Sequence, residues 1–181
     1  MKIDFKVEES DKIDGLKIIY PTISKDVRGN IWTSYLSKSF ESLLPKKQYF
    51  KHDKFSQSKK GVLRGIHGDY KSWKLVTCVY GEIYQVVVDM RKKSPTYKSW
   101  ISCEISKNKQ KLILVPPGCG NAYYVTSKNA VYHYKLAYPG EYIDHDEQFT
   151  IPWDDAKLNI SWPTSKPILS IRDAEVKSAK N

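Results

Sequence analysis

In the stretch GVLRGIHGDYKSWKLVTCVYGEIYQVVVDM, residues 61–90, a histidine and an arginine stand three positions apart among glycines. Histidine changes charge near neutral pH, with an unperturbed pKa of about 6.5, so His67 can take up a proton as a general base. Arg64 offers a planar fork of donors that matches phosphate or carboxylate oxygens. A second arginine, Arg28, lies in KDVRGN, where Asp-x-Arg-Gly predicts a tight turn that displays the guanidinium. Each group also has a plain structural reading. A lone histidine in a strand more often packs than reacts, and an arginine on a turn is as easily a solvated hairpin residue.

The elements that must hold these groups are strands. LVTCVY and EIYQVVVDM alternate and meet at Gly81, which predicts strand, turn, strand with polar chemistry at one end. Upstream, LKIIY is a short apolar run ending at Pro21, and IWTSYL resumes alternation after the KDVRGN turn. SKSFESLLP has a serine start, an early glutamate and a proline stop, so a short helix is expected over residues 38–44. QYFKHDKFSQSKKG interleaves Tyr49, Phe50 and Phe55 with polar residues, as a strand lining a cleft would.

Downstream, WISCEI and LILV flank a polar hairpin, and Pro116-Pro117 must end the second run because prolines donate nothing to a ladder. NAYYV and AVYHYKLAY then flank an SKN turn. Strand pairs at this spacing, with little helical periodicity, predict an all-β antiparallel sandwich or jelly roll with a few short peripheral helices. The segment from Glu141 to Glu175 is rich in Asp, Pro and Trp. It is expected to wrap over the barrel as loops, with one short helix near residues 155–158, Trp153 and Trp162 as anchors, and a frayed tail from about 174 to 181.

Composition narrows the function class. The chain has 181 residues, 40% of them hydrophobic and 13% aromatic, which suits one domain over 1–181. A net charge of +10 attracts anions, yet the lysines fall singly or in pairs and no nucleic-acid motif is present. A phosphate-bearing metabolite is the better partner. Cys78, Cys103 and Cys119 have no CxxC spacing, so neither a disulfide framework nor a zinc knuckle is expected. The charged start MKIDFKVEESDK lacks the apolar stretch of a signal peptide, and no run reaches the length of a membrane span, so a cytoplasmic protein is expected.

GVLRGIH, GEIYQVVVDMRKKSPTY, LILVPPGCGNAYYV, VYHYKLAY, IPWDDAKLNISWP and PILSIRD follow one another in an order that resembles the nucleotide-sugar 4-keto epimerases of the dTDP-4-dehydrorhamnose 3,5-epimerase type. The similarity runs from about Pro21 to Asp173. It implies a cupin-like jelly roll and a homodimer whose N-terminal segment reaches the neighbouring site. The chemistry implied is proton removal beside a ketone, an enolate, and reprotonation from the opposite face. His67 is implied as base, Asp173 as the carboxylate that fixes its tautomer, Tyr134 as acid and Lys74 as the enolate-stabilising cation. Alternation places Tyr132, Tyr134 and Tyr138 on one face and does not choose among them, and Lys71 is the fallback for Lys74. Arg64 and Arg28 are implied substrate contacts, Arg28 across the dimer, with Ser56, Asn30 and Asn121 as further contacts.

The pattern breaks in places. RGNIWT puts Asn30 and Thr33 where the family has an aromatic residue and a glutamate, the loop GDYKSW after His67 differs, and CGNAY puts Asn121 where the family commonly has a second histidine. Asparagine can hydrogen-bond a sugar but cannot exchange protons at neutral pH. The nucleotide and sugar therefore stay open between dTDP and GDP, hexose and heptose, and so does inversion at C3 alone or at C3 and C5. With Asn121 in place of a histidine, and His52, His133 and His145 away from ligand spacing, no metal and no cofactor are expected. The alternatives are a ketoisomerase or single-centre epimerase of the same fold, and a non-catalytic sugar-nucleotide-binding jelly roll.

Overall fold

The computed structural model describes residues 3–176. The chain opens with β1 (Phe5–Glu9) and β2 (Lys17–Pro21), a hairpin of β3 (Ile23–Asp26) and β4 (Gly29–Trp32), helix α1 (Ser37–Phe40) and a 3-10 turn (Glu41–Leu43). Next come β5 (His52–Lys59), β6 (Leu63–Gly68), β7 (Trp73–Tyr80) and β8 (Glu82–Asp89). β9 (Trp100–Ser106), β10 (Leu112–Val115), β11 (Cys119–Val125) and β12 (Asn129–Ala137) follow, and β13 (Phe149–Thr150) and α2 (Ile171–Glu175) close the described chain.

Two antiparallel sheets make a sandwich. The first has the order β1-β2-β10-β7-β12-β5 and the second β13-β6-β11-β8-β9, and β3 with β4 forms a separate ribbon. From β5 to β13 successive strands cross between the sheets, except that β8 and β9 pair within the second, and this crossing is the pattern of a jelly roll. Alternation dictates the core: Val76, Ile113 and Tyr132 of the first sheet meet Ile83, Val87 and Ile105 of the second. Burying each such side chain contributes about 1.5–3 kcal/mol before entropy is counted. A second cluster, with Phe40, Leu75 and Leu114, seats α1 on the outer side of the first sheet.

The expected turn between β7 and β8 forms at Gly81, whose φ is +83°, and carries the chain from the first sheet to the second; a Cβ there would stand 2.1 Å from the carbonyl oxygen of Asn129. LILV ends at Val115, directly before Pro116, as expected. The helix expected over residues 38–44 is present but divided, α-helical to Phe40 and 3-10 to Leu43, stopping ahead of Pro45. Trp162 anchors the C-terminal segment, its Nε1 donating to the carbonyl of Trp153 at 2.7 Å and its ring meeting Tyr84 edge-on. Among the described residues no helix is long and apolar enough to cross a membrane.

Two expectations need correction. Residues 155–158 form turns, not a helix. The N–H groups of Leu158 and Asn159 both bond the carbonyl of Asp155, but φ of +46° at Asn159 breaks the helical path after one turn. Helix formation lies farther along, in α2, where the Ser170 hydroxyl accepts from the N–H of Asp173 at 3.2 Å as an N-cap. Residues 174 and 175, expected to fray, are therefore helical, and residues 177–181 of that expected tail lie outside the described residues.

Candidate active site

One cavity of about 350 Å³ opens between the two sheets, a volume within the usual range for small-molecule sites. Lys54 of β5, Lys74 of β7 and Tyr134 of β12 line it from the first sheet; Arg64 and His67 of β6 and Asn121 and Tyr123 of β11 line it from the second. Tyr142, His145 and Gln148 contribute from the segment before β13, and Ser170, Arg172 and Asp173 from the start of α2.

His67 and Asp173, 106 positions apart, meet here: His67 Nε2 lies 2.5 Å from Asp173 Oδ1. The α2 cap explains the approach, because the Ser170 bond fixes the first turn that carries Asp173. Burial alone would raise the Asp173 carboxyl. The hydrogen bond and charge of His67, the Ser170 hydroxyl and the Gly65 N–H outweigh it and hold the carboxyl below the usual carboxylate range. An ionised Asp173 accepts from Nε2–H, so the His67 lone pair sits on Nδ1. That tautomer makes the ring a base at Nδ1.

The three tyrosines left equivalent by alternation are separated in space. Tyr132 is wholly buried and its hydroxyl donates to Gln85 Oε1 at 2.9 Å. Tyr138 lies beyond the end of β12, its hydroxyl 3.4 Å from His52 Nδ1. Tyr134 alone of the three lines the cavity. Burial, chiefly, raises its pKa above the ordinary phenol value, with Lys54 and Arg64 opposing, so the hydroxyl keeps its proton at neutral pH.

Lys74 and Lys71 are separated in the same way. Lys71 is exposed, whereas Lys74 is 8% exposed and lines the cavity. Burial lowers the Lys74 pKa despite the opposing Asp69, whose Oδ2 lies 3.4 Å from Nζ. At that distance the ammonium is paired loosely, which leaves its protons available to a ligand oxygen.

The expected substrate contacts divide. Arg64 and Asn121 line the cavity, and Arg64 Nε donates to Ser58 Oγ at 3.0 Å. Ser56 stands one step behind the wall, its Oγ 2.7 Å from the Tyr123 hydroxyl. Arg28 and Asn30 stand on the β3–β4 ribbon, outside this cavity, with Arg28 paired to Asp26 at 2.6 Å.

Several lining groups were not anticipated, Lys54, Tyr142 and Arg172 among them. Lys54 Nζ donates to the Tyr142 hydroxyl at 2.9 Å, and Arg172 donates to Thr150 Oγ1 at 2.8 Å and to the Gln148 carbonyl at 3.0 Å. Alternation along β5 could have found Lys54, since it shares a face with Ser56 and Ser58. Arg172 was visible only as the neighbour of Asp173, and nothing local marks Tyr142.

Residues 10–181 match the family described as dTDP-4-dehydrorhamnose 3,5-epimerase. The chain belongs to that family. The dTDP-4-dehydrorhamnose 3,5-epimerase of Salmonella typhimurium is 36% identical over 166 residues, 90% of this chain and 89% of the relative. The crystal structure of the Legionella pneumophila dTDP-6-deoxy-D-glucose-3,5-epimerase, in complex with dTDP-4-keto-L-rhamnose, superposes with a TM-score of 0.87 at 35% identity, covering 97% of this chain and 93% of that one. A dTDP-4-dehydrorhamnose 3-epimerase of Streptomyces niveus is 32% identical over 166 residues, covering 90% of this chain and 79% of the relative. Membership makes the protein an isomerase, a carbohydrate epimerase, and the sandwich is the epimerases' cupin-like jelly roll.

Proposed function

We propose that the protein inverts one or both carbons flanking the ketone of a nucleotide-diphosphate-linked 4-keto-6-deoxy sugar, during synthesis of an activated sugar for surface polysaccharide. The observation that carries this reading is that His67 and Tyr134 project into one cavity from opposite sheets. A base and an acid on opposite sides of a bound ring are what inversion through a planar enolate needs.

His67 Nδ1 takes the proton from the carbon beside the ketone, and Asp173 holds the resulting imidazolium. The electron pair of the broken C–H bond moves into the ring and onto the ketone oxygen, where Lys74 donates; one such donor typically lowers a barrier by about 2.7–4 kcal/mol. Tyr134 then gives its proton to the opposite face of the same carbon, restoring the ketone. Solvent exchange returns both groups to their starting states. Arg64 and Lys54 are the cations for the diphosphate. In a homodimer, Arg28 on its ribbon would serve the neighbouring subunit's site.

The relatives favour a dTDP-linked hexose; the Salmonella relative named for action at C3 and C5 is 36% identical to this chain and the Streptomyces relative named for C3 alone is 32% identical. Asn30, Thr33 and Asn121 are the departures that bear on which sugar fits. Incubation in deuterated water with dTDP- and GDP-linked 4-keto-6-deoxy sugars, hexose and heptose, tests the reading through loss of the C3 and C5 proton signals by NMR. Wash-out is expected with the dTDP-linked hexose and should fall about 10²–10⁴-fold in His67→Asn. Absence of exchange with every substrate would transfer the protein to the non-catalytic binding reading.

A further inference from the structure

Asn121, which the resemblance of CGNAY to the family motif puts in place of a histidine, stands opposite His67, and its surroundings fix which way its amide points. On the β6–β11 ladder Asn121 is paired in register with His67, so the two side chains share a face and both reach the cavity. Behind Asn121 lies Gln85, 1% exposed. Its Nε2 is 3.0 Å from the carbonyl oxygen of Val86 and 2.9 Å from that of Ala122. Two backbone carbonyls on one side tolerate only the NH2 end of the glutamine there, since carbonyl oxygens cannot donate. The remaining contact of that nitrogen, 2.8 Å to Asn121 Oδ1, must then be to an acceptor. Tyr132 closes the network, with its hydroxyl 2.9 Å from Gln85 Oε1 and 3.2 Å from Asn121 Oδ1.

Asn121 therefore spends its oxygen inside the protein and turns its Nδ2 hydrogens to the cavity. A side chain that could flip would serve either a donor or an acceptor. This one is held as a donor.

We propose that Asn121 is a specificity-determining donor to the ketone oxygen of the substrate, locked in that polarity by Gln85 and Tyr132 as positioning residues. The location of the oxygen follows from the ladder. A base must stand within about 3 Å of the proton it removes, so the carbon beside the ketone lies against His67. Directly opposite ladder partners have Cα atoms about 4.5–5.5 Å apart, which puts the Asn121 amide over the same part of the ring, while Arg64 lies three residues along β6. Together with Lys74 from the other sheet, the amide would bracket the oxygen that becomes the enolate. A neutral amide has no proton to exchange at neutral pH, so it stabilises the enolate without competing with Tyr134 for reprotonation.

The inference rests on the epimerase reading, and the experiment keeps the two apart. Asn121→Asp is isosteric and replaces the donor by an acceptor; Asn121→Ser is a smaller residue that can still donate; Tyr132→Phe removes one member of the lock. For each, kcat and KM with the wild-type substrate are measured beside the dissociation constant of dTDP and the melting temperature. The expected result is a fall in kcat of about 10²-fold or more in Asn121→Asp, as for loss of one oxyanion donor, with dTDP affinity unchanged within about threefold. Asn121→Ser should recover part of that loss, and Tyr132→Phe should lower kcat by a smaller factor at unchanged KM. Unchanged kcat in Asn121→Asp overturns the inference while wash-out in the wild type leaves the epimerase reading standing. A parallel loss of dTDP affinity overturns it too, by moving the amide's target to the diphosphate.

Discussion

At the scale of single residues, acid and base have separable consequences. In Tyr134→Phe the base is intact, so His67 can still remove the proton and solvent deuterium can return from the same face. Wash-out should survive within about tenfold, while accumulation of inverted product falls about 10²–10⁴-fold. Equal loss of both signals would show that Tyr134 is not the acid. Lys74 is separable through pH. Its depressed pKa means that its charge is lost as pH rises through a value below the ordinary lysine range of about 10.4, whereas burial moves Tyr134 the other way, above the ordinary phenol value. The basic limb of kcat/KM should therefore belong to Lys74, and Lys74→Arg, which stays charged, should move that limb to higher pH. A limb that stays put in that variant would assign it elsewhere.

At the scale of elements, what alternation and turn chemistry specify was readable and what tertiary contact specifies was not. The turn between β7 and β8 at Gly81, the stop at Pro116 and the strand at residues 52–59 follow from local pattern. α2 could not be foreseen from IRDAE, because five residues are too few to show a helical period and the Ser170 cap closes only where the segment docks beside β6. Residues 155–158 carry helix-like composition, yet the αL turn at Asn159 ends them. At the site, LRGIH pointed to His67, but which of the three tyrosines lines the cavity depended on the burial of Tyr132 in the core and on β12 ending ahead of Tyr138, which no spacing rule reports.

Two glycines test this division. Gly65 has φ of +121°, and a Cβ there would stand 2.5 Å from that of Ala122 and 2.7 Å from the Asn121 carbonyl. Gly81 sits at the other end of β7 from Lys74. Gly65→Ala and Gly81→Ala should each lower stability by about 1–3 kcal/mol, read from denaturant midpoints. Only Gly65→Ala, which forces β6 from β11 beside His67 and Asn121, should also lower kcat of the folded fraction more than tenfold. Comparable kcat losses in both would show that the site depends on the fold as a whole and not on that ladder.

At the scale of the whole molecule, the proposal that Arg28 serves a neighbouring subunit predicts complementation. Arg28→Ala and His67→Asn, each weakly active alone, are unfolded together and refolded. A mixed dimer of the two carries one site with both an intact base and an intact partner arginine, so random pairing should restore about a quarter of wild-type activity. No recovery would place Arg28 in its own subunit's function or in none.

The bond between His67 and Asp173 joins the sixth strand to the last helix. A nascent chain can lay down both sheets, and with them most of the cavity's walls, while His67, the proposed base, still lacks the carboxylate that sets its tautomer. On the proposed mechanism, turnover begins only when residues 170–175 dock beside β6, and a cut ahead of Ser170 would take one wall of the cavity away together with the carboxylate.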